Sequence, residues 1–142
     1  MQTINIVVTS YNRTIKIVTM IKELTKAEEQ VMLILWEMKE ALVKDVIEKM
    51  AEPKPAYNTV STVIRVLESK GFVDHKAVGN TYIYFPIINE ADYKRFALNK
   101  VMTNYFENSY ESLVSFLVNE KSMSAEELNE LIQLAEKLKK DK

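Results

Sequence analysis

The 142-residue sequence contains no cysteine, a single histidine (His75), two glycines and three prolines. Without cysteine there are no disulfides, no thiolate metal sites and no cysteine nucleophile. One histidine is too few for a histidine-based metal site or a Ser-His-Asp triad. Two glycines cannot build a phosphate-cradling loop of either common type. So few turn residues disfavour sheet-rich folds and leave helices to dominate. No apolar run approaches the ~20 residues that cross a bilayer, and the N-terminus carries no secretory pattern. A cytoplasmic protein with no membrane insertion is the default expectation. What is present is ordinary for a globular chain: 47% hydrophobic and 27% charged residues, with a net charge of −1. That charge does not announce a nucleic-acid binder, but local placement matters more than the total. No residue set supports an enzyme, and no metal or cofactor is expected.

The chain divides into a leader (1–24), a first module (25–88) and a helical tail (89–142). The leader holds two β-branched runs, Ile4–Thr9 and Thr14–Thr19, around a polar turn, the pattern of a marginal hairpin. Met20 directly precedes the first convincing helix and is read as an alternative start. The first module opens on Thr25-Lys26-Ala27-Glu28, a capping box, and its first helix runs to about Met38. Val43, Val46, Ile47 and Met50 mark a second helix, which stops before Pro53 and Pro55. A third begins around Ala56–Asn58 and ends at Lys70-Gly71, with glycine just past the last turn. Gly79-Asn80 separates two β-rich runs and signals a hairpin. Three helices followed by a two-stranded hairpin is the plan of a winged helix-turn-helix.

The third helix carries the functional reading. Val60, Val63, Ile64 and Leu67 share one face. With Val60 at 0°, Asn58, Ser61, Thr62, Arg65 and Ser69 fall between roughly 100° and 200°. This outward stripe has no acidic residue. Short hydroxyls let a helix approach phosphates, Asn pairs with adenine and Arg with guanine. Tyr57, Asn58 and Thr59 offer free amides at the helix start. Over residues 53–85, Lys54, Arg65, Lys70 and Lys76 face only Glu68 and Asp74. The expected DNA contacts are therefore Lys54, Tyr57, Asn58, Thr59, Ser61, Thr62 and Arg65, with Lys76 and Asn80 from the hairpin. The bland alternative is an ordinary solvated helix face. Trp36 and one face of the Tyr82–Tyr84 strand are expected to pack in the core.

The tail shows helical spacing with too much apolar surface for its size. Its first helix carries Phe96 and Val101; the next carries Leu113, Phe116 and Leu117. A second capping box at Ser124–Glu127 starts a helix with Leu128, Leu131, Ile132 and Leu138 on one face. Self-association through these residues solves the burial problem, and isologous pairing is its commonest form. The alternative is a tail folded back on its own first module.

Residues 24–140 resemble the penicillinase-repressor family of bacterial regulators, the BlaI/MecI type with a copper-responsive CopY branch. The carriers are Leu24–Met32 with Ile34-Leu35-Trp36, the segment Asn58–Leu67 followed by Lys70-Gly71-Phe72-Val73, and Tyr82–Pro86. Ser112–Phe116 and Ser124–Leu138 resemble the family's dimerisation helices. The resemblance implies a homodimeric repressor on a palindromic double-stranded operator. It also implies a membrane sensor protease as a partner system, with cleavage at Ser115-Phe116, where described members carry Asn before the Phe. The copper branch ends in a cysteine cluster that this chain lacks. Two other readings remain open on the residues alone. One is a regulator with a small-molecule pocket between module and tail, lined by Tyr93, Phe96, Tyr105, Phe106 and Tyr110. The other is a winged helix that binds protein rather than DNA.

Overall fold

The computed structural model describes residues 21–140; the leader hairpin expected within 1–20 lies outside them. Six helices and one hairpin follow in the order α1 (Lys26–Met38), α2 (Val43–Glu48), α3 (Tyr57–Ser69), β1 (Val73–Val78), β2 (Thr81–Pro86), α4 (Glu90–Phe106), α5 (Tyr110–Asn119) and α6 (Ala125–Lys140). The fold is mainly α with a small antiparallel hairpin, a winged helix-turn-helix followed by a helical region.

Each boundary has a local cause. Thr25 accepts from the Glu28 amide while Glu28 reaches back to the Thr25 amide, completing the capping box that starts α1. Asp45 Oδ2 accepts from the Leu42 amide at the head of α2. α3 ends in a Schellman arrangement: the Phe72 amide donates to Leu67 and the Gly71 amide to Glu68. That closure needs the left-handed φ of +85° that Gly71 adopts. The chain then enters β1, whose residues pair with β2 from Val73 opposite Pro86 to Val78 opposite Thr81. Gly79, at φ +61°, makes the turn. Ala41 adds a short third edge by exchanging both backbone hydrogen bonds with Tyr84.

The core of this unit joins Val31, Met32 and Leu35 of α1 to Val46 of α2, Val60, Ile64 and Leu67 of α3, and Phe72, Val73 and Tyr84 of the hairpin. Tyr82 and Tyr84 share one face of β2; Tyr84 is buried in the core, whereas Tyr82, nearer the wing tip, is exposed. Trp36 is half-buried, and its indole N–H donates to the Ile88 carbonyl at 2.9 Å.

The described chain forms two compact units, divided between Phe96 and Ala97. The division falls inside α4 rather than at residue 89, because the first turns of that helix pack on the first unit. Tyr93 lies 5.7 Å from Trp36, 5.8 Å from Phe72 and 5.7 Å from Phe96, centroid to centroid. Phe96, expected in a dimer contact, is thus part of the first unit's ring stack. The second unit buries Met102 and stacks Phe106 on Phe116. Ser109 and Ser124 cap α5 and α6, and neither helix has a buried residue. Among the described residues no helix is long and apolar enough to cross a membrane.

Candidate nucleic-acid interface

A cleft of about 500 Å³ opens between the start of α2, the outer edge of α3 and the second wing strand. Tyr57, Asn58, Ser61 and Arg65 line it from α3, and Asn80 from the hairpin turn. Five of the nine residues expected to touch DNA therefore meet in one place. Sequence periodicity missed three neighbours that the fold brings to the same cleft: Lys44 from α2, and Thr81 and Tyr82 from the wing. Among the described residues, Lys44 and Arg65 are its only charged groups and no carboxylate lines it. A concave polar surface with two cations and several hydroxyl and amide groups suits a phosphate and base edges.

The remaining expected contacts are placed differently. Thr59 and Thr62 are exposed on α3, but the Thr62 hydroxyl donates to the Asn58 carbonyl one turn back at 2.8 Å. That leaves its lone pairs and methyl free for a partner. Ser61 is not on the outer face: it is 9% exposed, at the inner margin of the cleft. The helical wheel put it with the outward stripe, but the wing and α2 cover its side of the helix. Lys54 is committed elsewhere: its ammonium donates to the carbonyls of Glu48 at 2.8 Å and Met50 at 2.6 Å. It closes the end of α2 instead of reaching outward, which is the usual work of a lysine at a helix C-terminus. Lys76 pairs with Glu40 at 3.0 Å across an exposed surface, a contact weak enough to be exchanged for a phosphate.

A brace ties α3 to the wing. His75 Nδ1 contacts Glu68 Oε2, and its ring lies 4.5 Å from Tyr82. Asp74 completes a group whose ligand atoms lie within 4.8 Å of one another. The imidazole Nδ1 is engaged by Glu68, so this trio reads as a hydrogen-bonded strut. Tyr84 sits behind it; burial, then the Glu68 carboxylate, push its phenol pKa up, so the hydroxyl remains protonated at neutral pH.

In the second unit, Val101, Phe116, Leu131, Ile132 and Leu138 are all exposed, between 43% and 55%. Leu113, Leu117 and Leu128 are half-buried. Ser115 and Phe116 lie exposed within α5. Tyr105 and Tyr110 are 77% and 65% exposed, whereas Tyr93 and Phe96 are packing residues of the first unit.

Comparison with known proteins places the chain. The family model described as penicillinase repressor matches residues 24–137. The chain is 27% identical over 123 residues to the penicillinase repressor of Bacillus licheniformis, covering 86% of this chain and 96% of that one. It is 29% identical to the methicillin resistance regulatory protein MecI of Staphylococcus aureus, covering 81% of this chain and 94% of the other. Among solved structures, the DNA binding domain of the repressor BlaI matches at 28% identity and a TM-score of 0.46, covering 51% of this chain and 90% of that chain. The Bacillus licheniformis BlaI monomer in complex with the blaP half-operator matches at 28% identity and a TM-score of 0.44, over the same shares. With a winged helix-turn-helix in its first unit and the family model spanning both units, the chain belongs to the penicillinase repressor family.

Proposed function

We propose that the protein is a sequence-specific DNA-binding transcriptional repressor, working in the cytoplasm as a homodimer on a palindromic operator. The observation that carries this reading is the cleft between α3 and the wing, which gathers Tyr57, Asn58, Arg65 and Asn80 beside Lys44 with no carboxylate among them. Family membership supports it, since one relative matched over nearly its full length is named a penicillinase repressor and another a methicillin resistance regulatory protein. α3 enters the major groove by its exposed edge of Asn58, Thr62 and Arg65. Lys44 and Lys76 hold flanking phosphates, and Asn80 at the wing tip meets the neighbouring backbone.

Pairing of the second units through α4 to α6 sets two such modules in dyad relation. The exposed aliphatic side chains of α6 support this. Relief of repression by cleavage at Ser115-Phe116 fits the exposure of that bond's side chains, though a protease must first unwind α5 there.

The deciding experiment is a gel shift against the promoter of the protein's own operon. Arg65→Ala should weaken specific binding by about 1–3 kcal/mol, roughly fivefold to 150-fold, with the melting temperature unchanged because Arg65 is exposed. Lys44→Gln should weaken binding evenly across sequences and make the salt dependence shallower by about one unit of log–log slope. Retention of full affinity by Arg65→Ala would move base reading away from this edge.

A further inference from the structure

A second cleft, of about 550 Å³, lies on the first unit away from the wing. Val31 and Ile34 of α1, Met50 at the end of α2, Pro55, and Val60 and Val63 of α3 are among its apolar lining. Its volume falls in the range of small-molecule sites, which are mainly apolar with a few placed polar groups. Among the described residues, Lys49 is the only charged one in the lining, and Gln30 and Thr59 the only uncharged polar ones. The ammonium of Lys49 is half-exposed and reaches its nearest carboxylate, Glu37, only at 4.0 Å, so it is available to an incoming anion. The wall is built rather than loose. Two prolines stiffen the turn, and Lys54 clamps it to the Glu48 and Met50 carbonyls.

From this lining we propose that the cleft binds a small apolar carboxylate, an aromatic acid of one or two rings, with its ring among the valines and its carboxylate on Lys49. The occupant lies directly behind α3. Val60 and Val63 line the cleft, while Asn58, Thr62 and Arg65 stand on the exposed edge. A ring wedged between α1 and α3 changes the seat of the recognition helix, so ligand and DNA compete through that helix. Binding of the acid is independent of the DNA reading; its effect on DNA rests on that reading.

The test is isothermal titration of the full-length protein with 2-naphthoate, with 2-naphthamide as the uncharged comparison. Saturable one-site binding of the acid is expected, with the amide weaker by about fivefold. Lys49→Gln should erase that preference and leave amide binding unchanged. Ala51→Phe, and separately Pro55→Trp, set bulk on the rim and should abolish binding of both probes while each variant still folds and shifts operator DNA. Naphthoate should weaken operator binding by some factor, and operator DNA should weaken naphthoate binding by the same factor. No saturable binding, or binding indifferent to Lys49→Gln and to both rim variants, overturns the site. Intact binding without coupling to DNA overturns the regulatory half alone. Rim variants that alter self-association instead would assign the cleft to a second copy and overturn the ligand. Arg65→Ala, which weakens specific DNA binding but leaves this cleft intact, should bind naphthoate as wild type does, keeping the two readings separable.

Discussion

The variant with Leu131→Glu and Leu138→Glu should sediment as a monomer at micromolar concentration and bind the full operator at least about a hundredfold more weakly, with half-site affinity unchanged. The expectation follows from α6 itself. Leu128, Leu131, Ile132, Ala135 and Leu138 recur at three- and four-residue spacing, which puts them on one stripe. Glu126, Glu127, Glu130 and Lys137 occupy the rest of the surface. An aliphatic stripe of this kind is normally turned to a core, yet Leu131, Ile132, Leu134 and Leu138 are each about half-exposed and the helix buries nothing. Burying them is worth roughly 25 cal/mol per Å², and a second copy supplies the surface by symmetry. Two glutamates per copy in that contact face each other across the dyad without a counter-ion, a costly burial. Because none of these residues is buried within the protomer, the melting of the first unit should be unaffected. That separates loss of pairing from loss of folding. Dimeric sedimentation of the double variant would remove α6 from the interface and leave α4 and α5 to carry it.

The order of elements was legible because each is announced by local chemistry. Thr25 and Glu28 cap α1, Gly71 ends α3 with a conformation other residues resist, and Gly79-Asn80 turns the hairpin. Side-chain roles were legible only where a single helix decides them. The wheel of α3 correctly exposes Asn58, Thr62 and Arg65 but cannot see the wing, and so it misassigned Ser61. Lys54 looked free because its acceptors are main-chain carbonyls, which no side-chain pattern reveals. Phe96 has the spacing of a tail residue but sits three positions from Tyr93, whose ring is held by Trp36 and Phe72. Lys44, Thr81 and Tyr82 reach the cleft through tertiary contacts, and nothing in their own neighbourhood marks them.

The same blindness hid the buried ion pair that holds α1 to the end of α3. Glu28 is 6% exposed, and both its oxygens accept from Lys70 Nζ, at 2.6 and 2.7 Å, across 42 residues of sequence. Oε2 also accepts from the Thr25 amide, and the Thr25 hydroxyl accepts from the Glu28 amide. Burial alone raises the carboxyl pKa, but the Lys70 and Thr25 contacts together outweigh it and hold the pKa below the usual carboxylate range. A group whose pKa is lowered on folding stabilises the fold above its unfolded value, and that contribution fades as the pH falls through the folded one.

Glu28→Ala leaves the Lys70 ammonium without its buried partner and the Thr25 amide, at the head of α1, without its side-chain acceptor. The cost should be about 3 kcal/mol at neutral pH, or roughly 10–20 °C in Tm for a unit of this size. Glu28→Gln keeps the shape and the capping acceptor but not the charge, and should lose less. Protonation makes the wild-type side chain a neutral hydrogen-bonding group much like glutamine. The stability gap between wild type and Glu28→Gln should therefore narrow as the pH drops below the ordinary carboxylate range and close only once it has fallen below the lowered folded value. Urea titrations of the three proteins at a series of pH values from neutral downward measure this. A gap of constant size would mean that packing at this position, rather than the charge on Glu28, joins the two helices. Because Lys70 is also the C-cap of α3, releasing it loosens the Gly71 turn into the wing. The same variant should then show faster amide exchange at Phe72 and Val73 before the core opens.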